Sequence, residues 1–385
     1  MFESFVVYLS LFAIMALCGV VAARREPAYV PYSGVYADNK RFLEPEIVIL
    51  IGAFTFVFGC RWGVGVDFFH YLNYYLKTYT FSEGFELLFQ GISSLFLKLG
   101  FHYAVFFGFW AGVQITLLYA AFKKYRFLYP YIAFFLIFGS YYLSMMNVIR
   151  QQVAALVFLY SIQFIENRKI VPYYLCVIIA FFIHRSAVLL AVVYPLFRLK
   201  DEWFKSTPLQ LIVFFICLFL SSNQSVINEW IEIPFRWFSD LLDYDEYGYG
   251  VLSIEEYNDR TQFGRNSGLA VYANLIRYVP IILVSKGMKK YFNSSLFNMI
   301  YSMWYVCISF GLLFSHSIVL YRPFVFILDT QFIVSAFFAY YCFKSKKSFL
   351  WITASVILLL HLVLFINVVS NGAVNTSQFV FFWQS

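Results

Sequence analysis

Charged side chains are scarce in this chain, and their scarcity excludes a soluble globular protein. Asp, Glu, Lys and Arg together make up 13% of the 385 residues, whereas 62% are hydrophobic and 23% are aromatic. That much apolar surface exceeds what one soluble core could bury. The composition therefore predicts an all-α polytopic membrane protein.

Cysteine is too scattered for a disulfide framework or a metal site. No two Cys residues have the CxxC spacing, and no cluster of His lies beside them. We interpret them as small core residues and expect neither a metal nor a cofactor. The six are Cys18, Cys60, Cys176, Cys217, Cys307 and Cys342.

The chain also lacks a basic stripe, an internal repeat and a signal-peptide charge pattern. Loop Lys and Arg account for the net charge of +7, which argues against nucleic acid as a partner. Without a repeat or a low-complexity tract, residues 1–385 are predicted to form a single integral membrane domain. Met1 to Ala23 lacks a positive N-region and precedes Arg24 and Arg25, so we predict a retained span.

The apolar runs predict about 12 transmembrane helices, both termini lying outside because basic residues fill the opposite loops. Glu83–Lys98 has the mixed pattern of an outer-side interfacial helix. Residues 221–266 form the longest loop, with nine acids and three Arg, and are predicted to be periplasmic. The predicted spans are Phe5–Ala23, Glu46–Cys60, Phe101–Phe122, Phe127–Met145, Val153–Ile165, Ile170–Ile183, Ala187–Phe197, Leu209–Leu220, Leu269–Val284, Leu296–Phe314, Phe324–Phe343 and Phe349–Val369.

Basic residues are divided by type between the two predicted sides. Lys predominates in the inner loops, as the positive-inside rule requires, whereas the remaining basic residues are mostly Arg. Arg presents a planar fork of donors that holds phosphate or carboxylate in two places. We therefore expect a phosphate-bearing ligand on the outer side. The arginines concerned are Arg61, Arg150, Arg185, Arg236, Arg260, Arg265, Arg277 and Arg322.

Two polar clusters lie at predicted outer ends of spans. In the first, Arg61 to Asp67 with Gly63 and Gly65, glycine permits backbone close to a ligand and Asp67 could orient Arg61. The alternative is a glycine-rich helix exit with a snorkelling Arg. In the second, Asn147, Arg150 and Gln151 share a helical face, a dense polar face that predicts a cavity. Interhelical hydrogen bonding alone is the alternative there.

The third cluster is His184-Arg185-Ser186. From Lys169 to His184 a helix rises roughly 22 Å, against a hydrocarbon core of roughly 30 Å, so His184 is predicted to lie in a recessed hairpin tip. The imidazole could take a proton from a sugar hydroxyl or position a phosphate oxygen. A purely structural hydrogen-bonding histidine is the alternative.

Three further features have a structural interpretation beside the functional one. Arg277 and Arg322 are predicted at or near the membrane interior, where Asp329 could pair with either as a structural bridge. Asp243-Tyr244-Asp245 has a DxD spacing, but in an acidic, Tyr-rich outer loop we interpret it as solvated surface or saccharide contact.

The three clusters, in this order, resemble the EpsG family of Wzy-type polysaccharide polymerases, which make O-antigen, capsule or exopolysaccharide. The resemblance covers residues 1 to about 200; later, Arg322 stands where the family tends to carry Arg near a Tyr-Phe pair, but Pro323 follows it. The matching residues are Arg61, Gly63, Gly65, Asp67 and Tyr71 for an R-G-G-D-Y element, Asn147, Arg150 and Gln151 for N-x-x-R-Q, and His184, Ser186 and Ala187 for H-x-S-A.

The resemblance implies a GT-C-like, metal-independent glycosyltransferase. Such an enzyme would join undecaprenyl-diphosphate-linked oligosaccharide units at the periplasmic face of a bacterial inner membrane. The implied partners are that lipid-linked substrate, membrane lipids and a chain-length regulator.

On this hypothesis Arg61, Arg150 and His184 are the catalytic candidates. Arg61 and Arg150, with Arg185, Arg322 and Arg277, would bind the diphosphate, and His184 would deprotonate or orient the acceptor hydroxyl. The supporting polar residues are Asp67, Tyr71, Asn147, Gln151 and Ser186. Two other classes stay open: a transporter or flippase of lipid-linked saccharides, which would favour broken midplane helices and inverted repeats, and a membrane O-acyltransferase, which would draw its donor from the cytoplasm.

Overall fold

Apolar helices build almost all of the described structure. The computed structural model describes residues 2–25, 31–33, 41–77, 86–222, 269–315, 318–372 and 378–384. The predicted Asp243-Tyr244-Asp245 site and nearly all of the loop 221–266 lie outside the described residues. The α-helices are α1 Phe2–Arg24, α2 Pro45–Gly59, α3 Phe68–Leu76, α4 Leu87–Lys98, α5 Tyr103–Ala121, α6 Tyr129–Phe138, α7 Tyr142–Asn147, α8 Ile149–Glu166, α9 Ile170–Ile183, α10 Val193–Leu199, α11 Thr207–Ser222, α12 Leu269–Phe292, α13 Ser295–Leu313, α14 Ile318–Val325, α15 Thr330–Lys344 and α16 Ser348–Ser370.

Within the described parts of the chain, five helical stretches are long and apolar enough to cross a membrane. They are Phe2–Arg24, Tyr103–Ala121, Ser295–Leu313, Leu320–Lys344 and Ser348–Ser370. Shorter apolar helices of 10–17 residues are Pro45–Gly59, Leu87–Lys98, Ile170–Ile183 and Thr207–Ser221. The all-α membrane class is therefore confirmed for the described residues. The total of about twelve spans and the GT-C-like arrangement stay predictions.

Several predicted spans have different boundaries in the structure, among them Phe324–Phe343, where α14 ends at Val325 and α15 begins at Thr330. Phe127–Met145 is not one helix: α6 ends at Phe138, Ser140 has a left-handed φ of 59°, and α7 begins at Tyr142. The first part of Ala187–Phe197 is a 3₁₀ helix, Arg185–Val192, followed by the short α10. Helix α12 continues through its lysines to Phe292, because Lys is a good helix former and the apolar run does not mark the helix end.

Helix α8 is the central helix of the described structure. It packs against α5 on one side and α9 on the other, and most of its side chains are buried. Two glycines let α2 approach α5 closely: a Cβ built on Gly59 would lie 2.8 Å from the Cα atom of Gly108. Helix α8 therefore begins in the interior, and the polar side chains of its first turn are surrounded by other helices.

The two ends of the described chain lie together. The Phe379 backbone N–H donates to Ser4 Oγ at 2.8 Å. Strand β1, Arg61–Trp62, pairs antiparallel with β2, Val380–Phe381, whose last residue leads into the 3₁₀ helix Phe382–Gln384. The chain ends, the exit of α2 and the start of α8 therefore share one end of the molecule. Which face of the membrane this end meets stays a prediction.

The opposite end carries ion pairs between the inner-loop residues. Arg126, 1% exposed, donates to Glu44 at 2.9 Å, and Glu46 lies 3.3 Å from Arg25. Lys289 Nζ donates to Glu202 at 3.0 Å. The inner-loop basic residues were predicted only to set the membrane topology, and these contacts show that they also form ion pairs within the fold.

Candidate functional site

The carboxylate of Glu86, at the start of α4, joins two of the three predicted clusters. Oε2 accepts from Arg150 Nη1 at 2.5 Å, and Oε1 accepts from the Arg185 backbone N–H at 2.9 Å. Oε1 also lies 3.2 Å from His184 Nδ1. The side chain of Glu86 is only 8% exposed, so the second and third clusters form one buried site around it.

The surroundings favour the ionised form of Glu86. Burial raises the pKa of this carboxyl, but the hydrogen bond from His184 and the charge of Arg150 outweigh it, and the pKa falls from 4.5 to about 2. Burial lowers the pKa of His184, as do the charges of Arg150 and Arg322, and these effects outweigh the opposing influence of Glu86. Near neutral pH the pair is therefore a carboxylate and a neutral imidazole.

His184 lies directly after the end of a helix. Helix α9 ends at Ile183, as predicted, and His184 is extended, with φ −157° and ψ 113°. The ring lies 6.1 Å from the Phe326 ring, between centroids, and its Nε2 atom is buried with no hydrogen-bond partner among the described residues. Ser186 follows it as a buried residue at 5% exposure.

Arg322 of α14 lies beside this site. The charges of Arg150 and Arg322 both act on the His184 ring, and the two arginines act on each other. Gln151 Nε2 donates to the Arg322 backbone carbonyl at 3.4 Å, which ties α14 to the first turn of α8. The structure therefore brings Arg150 and Arg322 together although they are distant in sequence.

Arg150 also interacts with residues in and directly after the first cluster, which connects that cluster to the site around Glu86. Its charge acts on Asp67, His70 and Tyr71, and the Tyr71 side chain also has a hydrogen-bonding interaction with Arg150. Burial raises the pKa of Asp67, opposed by the charges of His70 and Arg150. The structure thus shows an electrostatic interaction of Asp67 with Arg150, and the orientation of Arg61 by Asp67 stays a prediction.

Arg61 itself is fully enclosed by protein. It is 2% exposed, and its guanidinium donates to the carbonyls of Phe58 at 2.5 Å, Val64 at 3.0 Å and Met146 at 3.1 Å. The guanidinium carbon also lies 4.7 Å from the centre of the Phe107 ring. These contacts stabilise the helix exits, and the predicted binding of a diphosphate by Arg61 has no support in this geometry.

A tight seam joins the first cluster to the second. Gly65 has a φ of +106°, and a Cβ built there would lie 2.8 Å from Asn147 Oδ1. Asn147 Nδ2 donates to the Leu143 carbonyl at 2.9 Å. Gly65 is therefore needed both for its backbone conformation and for the space that Asn147 occupies.

The other predicted residues lie apart from Glu86 or face away from it. The Arg185 side chain is exposed, and only its backbone contacts Glu86. Arg277 Nη2 donates to Asn274 at 2.5 Å, and its guanidinium carbon lies 5.2 Å from the Tyr278 ring centre. The hydrogen bonds of Asp329 do not follow the alternative in which it bridges to Arg322 or Arg277: its carboxylate accepts from Gln152 Nε2, at 2.8 and 2.7 Å.

The residue that sequence reasoning missed is Glu86. It belongs to the interfacial segment Glu83–Lys98 and to no cluster with other polar residues. A signal was present, since an acid directly before an apolar helix needs a cation when that helix is buried. Nothing in the local sequence, however, identifies Arg150 and His184 as its partners.

The fold and the site together define an α-helical membrane protein with a buried Arg–Glu–His cluster at one end of its helices. The EpsG family model matches residues 47–383, which is most of the chain, and the protein belongs to the EpsG family. The predicted resemblance is thereby confirmed, and it extends beyond the first half of the chain. No curated protein and no solved structure matches the sequence.

Proposed function

We propose that this protein is a polysaccharide polymerase, a glycosyltransferase that joins lipid-diphosphate-linked oligosaccharide repeat units at the periplasmic face of a bacterial inner membrane. Membership of the EpsG family supports the class. The observation that carries the proposal is the convergence of Arg150 and His184 on one buried carboxylate, with the charge of Arg322 acting on both. The lipid carrier is proposed to be undecaprenyl diphosphate.

The charges of the site favour an anionic ligand. Arg150 and Arg322 repel each other, and Glu86 contributes one carboxylate beside Arg150, so a further anion placed next to both guanidinium groups would be electrostatically favoured. Arg150 also lies in the first turn of α8, where the helix dipole already favours negative charge. A diphosphate supplies that charge and several acceptor oxygens for guanidinium donors.

The proposed reaction needs stabilisation of a leaving group and removal of one proton. The bond between the anomeric carbon and the diphosphate oxygen breaks, and the diphosphate leaves with the electron pair and its negative charge. The acceptor hydroxyl oxygen forms the new bond to that carbon, and its proton goes to His184. Arg150 and Arg322 stabilise the departing charge in a site largely closed to water.

The test is Arg150→Lys in cells that lack the wild-type copy, with Arg168→Lys as the control. Lys keeps the charge but loses the bidentate fork. We expect polymer synthesis to fall by about 10- to 100-fold, the loss of one charged hydrogen bond worth about 1.5–3 kcal/mol. Arg168 is exposed at the opposite end, so its variant should make normal polymer.

Gel analysis of polymer length and of lipid-linked glycans distinguishes the function classes. A polymerase defect leaves single repeat units on the lipid carrier at the outer face. A flippase defect leaves the same units on the inner face, where an added glycosidase cannot reach them in intact spheroplasts. Normal long polymer from a well-expressed Arg150→Lys variant would contradict the bidentate role.

A further inference from the structure

Glu86 is held in place from three sides. Its carboxylate receives Arg150 Nη1 at 2.5 Å, the Arg185 N–H at 2.9 Å and the His184 ring at 3.2 Å. One donor is backbone, and the other two belong to the first turn of α8 and the end of α9. A carboxylate fixed in this way also fixes the ring that contacts it.

The contact determines which nitrogen of His184 carries the proton. An ionised carboxylate only accepts hydrogen bonds, so Nδ1 must carry the proton that points to Glu86. Nε2 of the neutral ring then has an unshared electron pair. This atom is buried and has no hydrogen-bond partner among the described residues, so its electron pair is not committed to another described protein group.

We infer that Glu86 is a positioning residue that holds His184 in the Nδ1–H form and so presents Nε2 as the base for the acceptor hydroxyl. The inference rests on the proposed function. When Nε2 takes the hydroxyl proton, the ring becomes a cation and both ring nitrogens carry protons. The Glu86 carboxylate stabilises that cation at Nδ1 and remains ionised.

The charged groups facing His184 set the direction of the pH effect. Burial lowers the pKa of His184, the Glu86 carboxylate raises it, and the charges of Arg150 and Arg322 lower it. Asp67 and His70 interact electrostatically with Arg150. The base must be neutral to work, so activity falls as pH falls through the His184 pKa, which gives the rate–pH profile an acidic limb. Removing the Glu86 charge should lower the His184 pKa and so move this acidic limb to lower pH.

The first experiment reads the tautomer directly in the wild-type protein. The full chain is labelled with ¹⁵N-histidine in lipid nanodiscs, and His184→Asn identifies the His184 signals. We expect a protonated Nδ1 and an unprotonated Nε2 at pH 7.5. A proton on Nε2 instead would overturn the inference, and this readout needs neither activity nor a Glu86 variant.

The second experiment measures rate against pH with Glu86→Gln. The substrate is the lipid-linked glycan that accumulates in cells lacking the gene, extracted and added to membranes. We expect the maximal rate to fall by about 10- to 100-fold, within the range of a general base, and the acidic limb to move to lower pH. The control Glu202→Gln, which loses a partner of Lys289, should keep the wild-type profile.

The outcomes separate the possible roles of Glu86. An equal loss at every pH, with the limb unmoved, would reduce Glu86 to a structural partner of Arg150 and overturn the inference. A raised KM with unchanged kcat and limb would do the same, since it would place the effect on ligand binding. If wild-type membranes do not extend the extracted glycan, the proposed function fails, while the tautomer measurement still reports on the pair.

Discussion

Arg61 and Arg150 have the same side chain and lie at the same end of the helices, yet their surroundings give them different roles. The donors of Arg61 are directed at backbone carbonyls, whereas Arg150 meets a carboxylate beside a second arginine and a histidine. A carbonyl contact fixes backbone, and a pair of guanidinium groups favours an anion. Residue type alone therefore does not identify the arginines of a ligand site, and we restrict the proposed diphosphate site to Arg150 and Arg322.

Gly65→Ala should destabilise the protein and reduce polymer synthesis. The new methyl group would enter the space of Asn147 Oδ1, 2.8 Å away, at a φ of +106° that L-residues avoid. We expect a loss of about 1–3 kcal/mol, the usual cost of such a backbone position. The measurement is thermal unfolding in detergent, together with polymer length in cells.

The matched control for this substitution is Gly52→Ala. Gly52 lies within α2 and has nothing within 4 Å of its would-be Cβ. Alanine is favoured over glycine in a helix by about 0.5–1 kcal/mol, so this variant should be as stable as the wild type or slightly more stable. Equal behaviour of the two variants would contradict the tight seam between Gly65 and Asn147.

At the scale of elements, Arg61 links three segments. Its carbonyl partners belong to the last turn of α2, the loop after β1 and the last turn of α7. A cation at helix C-terminal ends is electrostatically favourable, and it also satisfies carbonyls that lack a helical donor. The break between α7 and α8 is further supported by Gln114 Nε2, which donates to the Met145 carbonyl at 3.2 Å.

Arg61→Lys should therefore lower stability more than it changes ligand binding. The single ammonium group of Lys cannot reproduce the planar arrangement in which the Arg61 guanidinium donates to three carbonyls. Each buried carbonyl left without a donor costs about 1–3 kcal/mol of stability. We expect a lower unfolding temperature, with Arg24→Lys as an exposed control that leaves it unchanged. A variant of normal stability whose KM alone rises would restore Arg61 to the ligand site.

The sequence predicted single elements better than the contacts between them. The bounds of α9 were predicted correctly from its apolar run, because the length of such a helix matches the length of its run of apolar residues. The break at Ser140 was missed because long apolar stretches flank Gly139-Ser140, and a single Gly-Ser pair is a weak turn signal inside such a run. Glu86 was missed for a related reason: its partners lie 64 and 98 positions away.

At the scale of the whole molecule, the division of charge predicted that the three motifs share one side. In the structure the motifs lie at one end of the molecule. Ser4 contacts Phe379 there, and Arg61 of the first motif donates to the carbonyl of Met146, which precedes the second motif. Lys and Glu pairs such as Lys289 with Glu202 lie at the other. The sequence could distinguish the two ends because the charge of a loop follows from its composition alone. The cluster of Glu86, Arg150 and His184 depends on three-dimensional contacts, which composition does not reveal.

Helix α16 allows the orientation to be tested on a single element. It runs between exposed Lys346 and exposed Asn371 at opposite ends, and its last turns pack against α1, with Phe5 and Phe365 ring centroids 6.0 Å apart. In a background without the six native Cys, Asn371→Cys should react with an impermeant maleimide in intact spheroplasts. Lys346→Cys should react only after the membrane is opened.

The reversed labelling pattern would have a definite chemical meaning. The site around Glu86 would then open to the cytoplasm, where activated acyl donors and nucleotide-linked sugars are made, and polymerisation at the outer face would be ruled out. The expected pattern instead places Arg150, Arg322 and His184 where lipid-linked repeat units arrive after translocation. Because the two cysteines flank one continuous helix, a mixed result would indicate two orientations in the membrane rather than a local rearrangement.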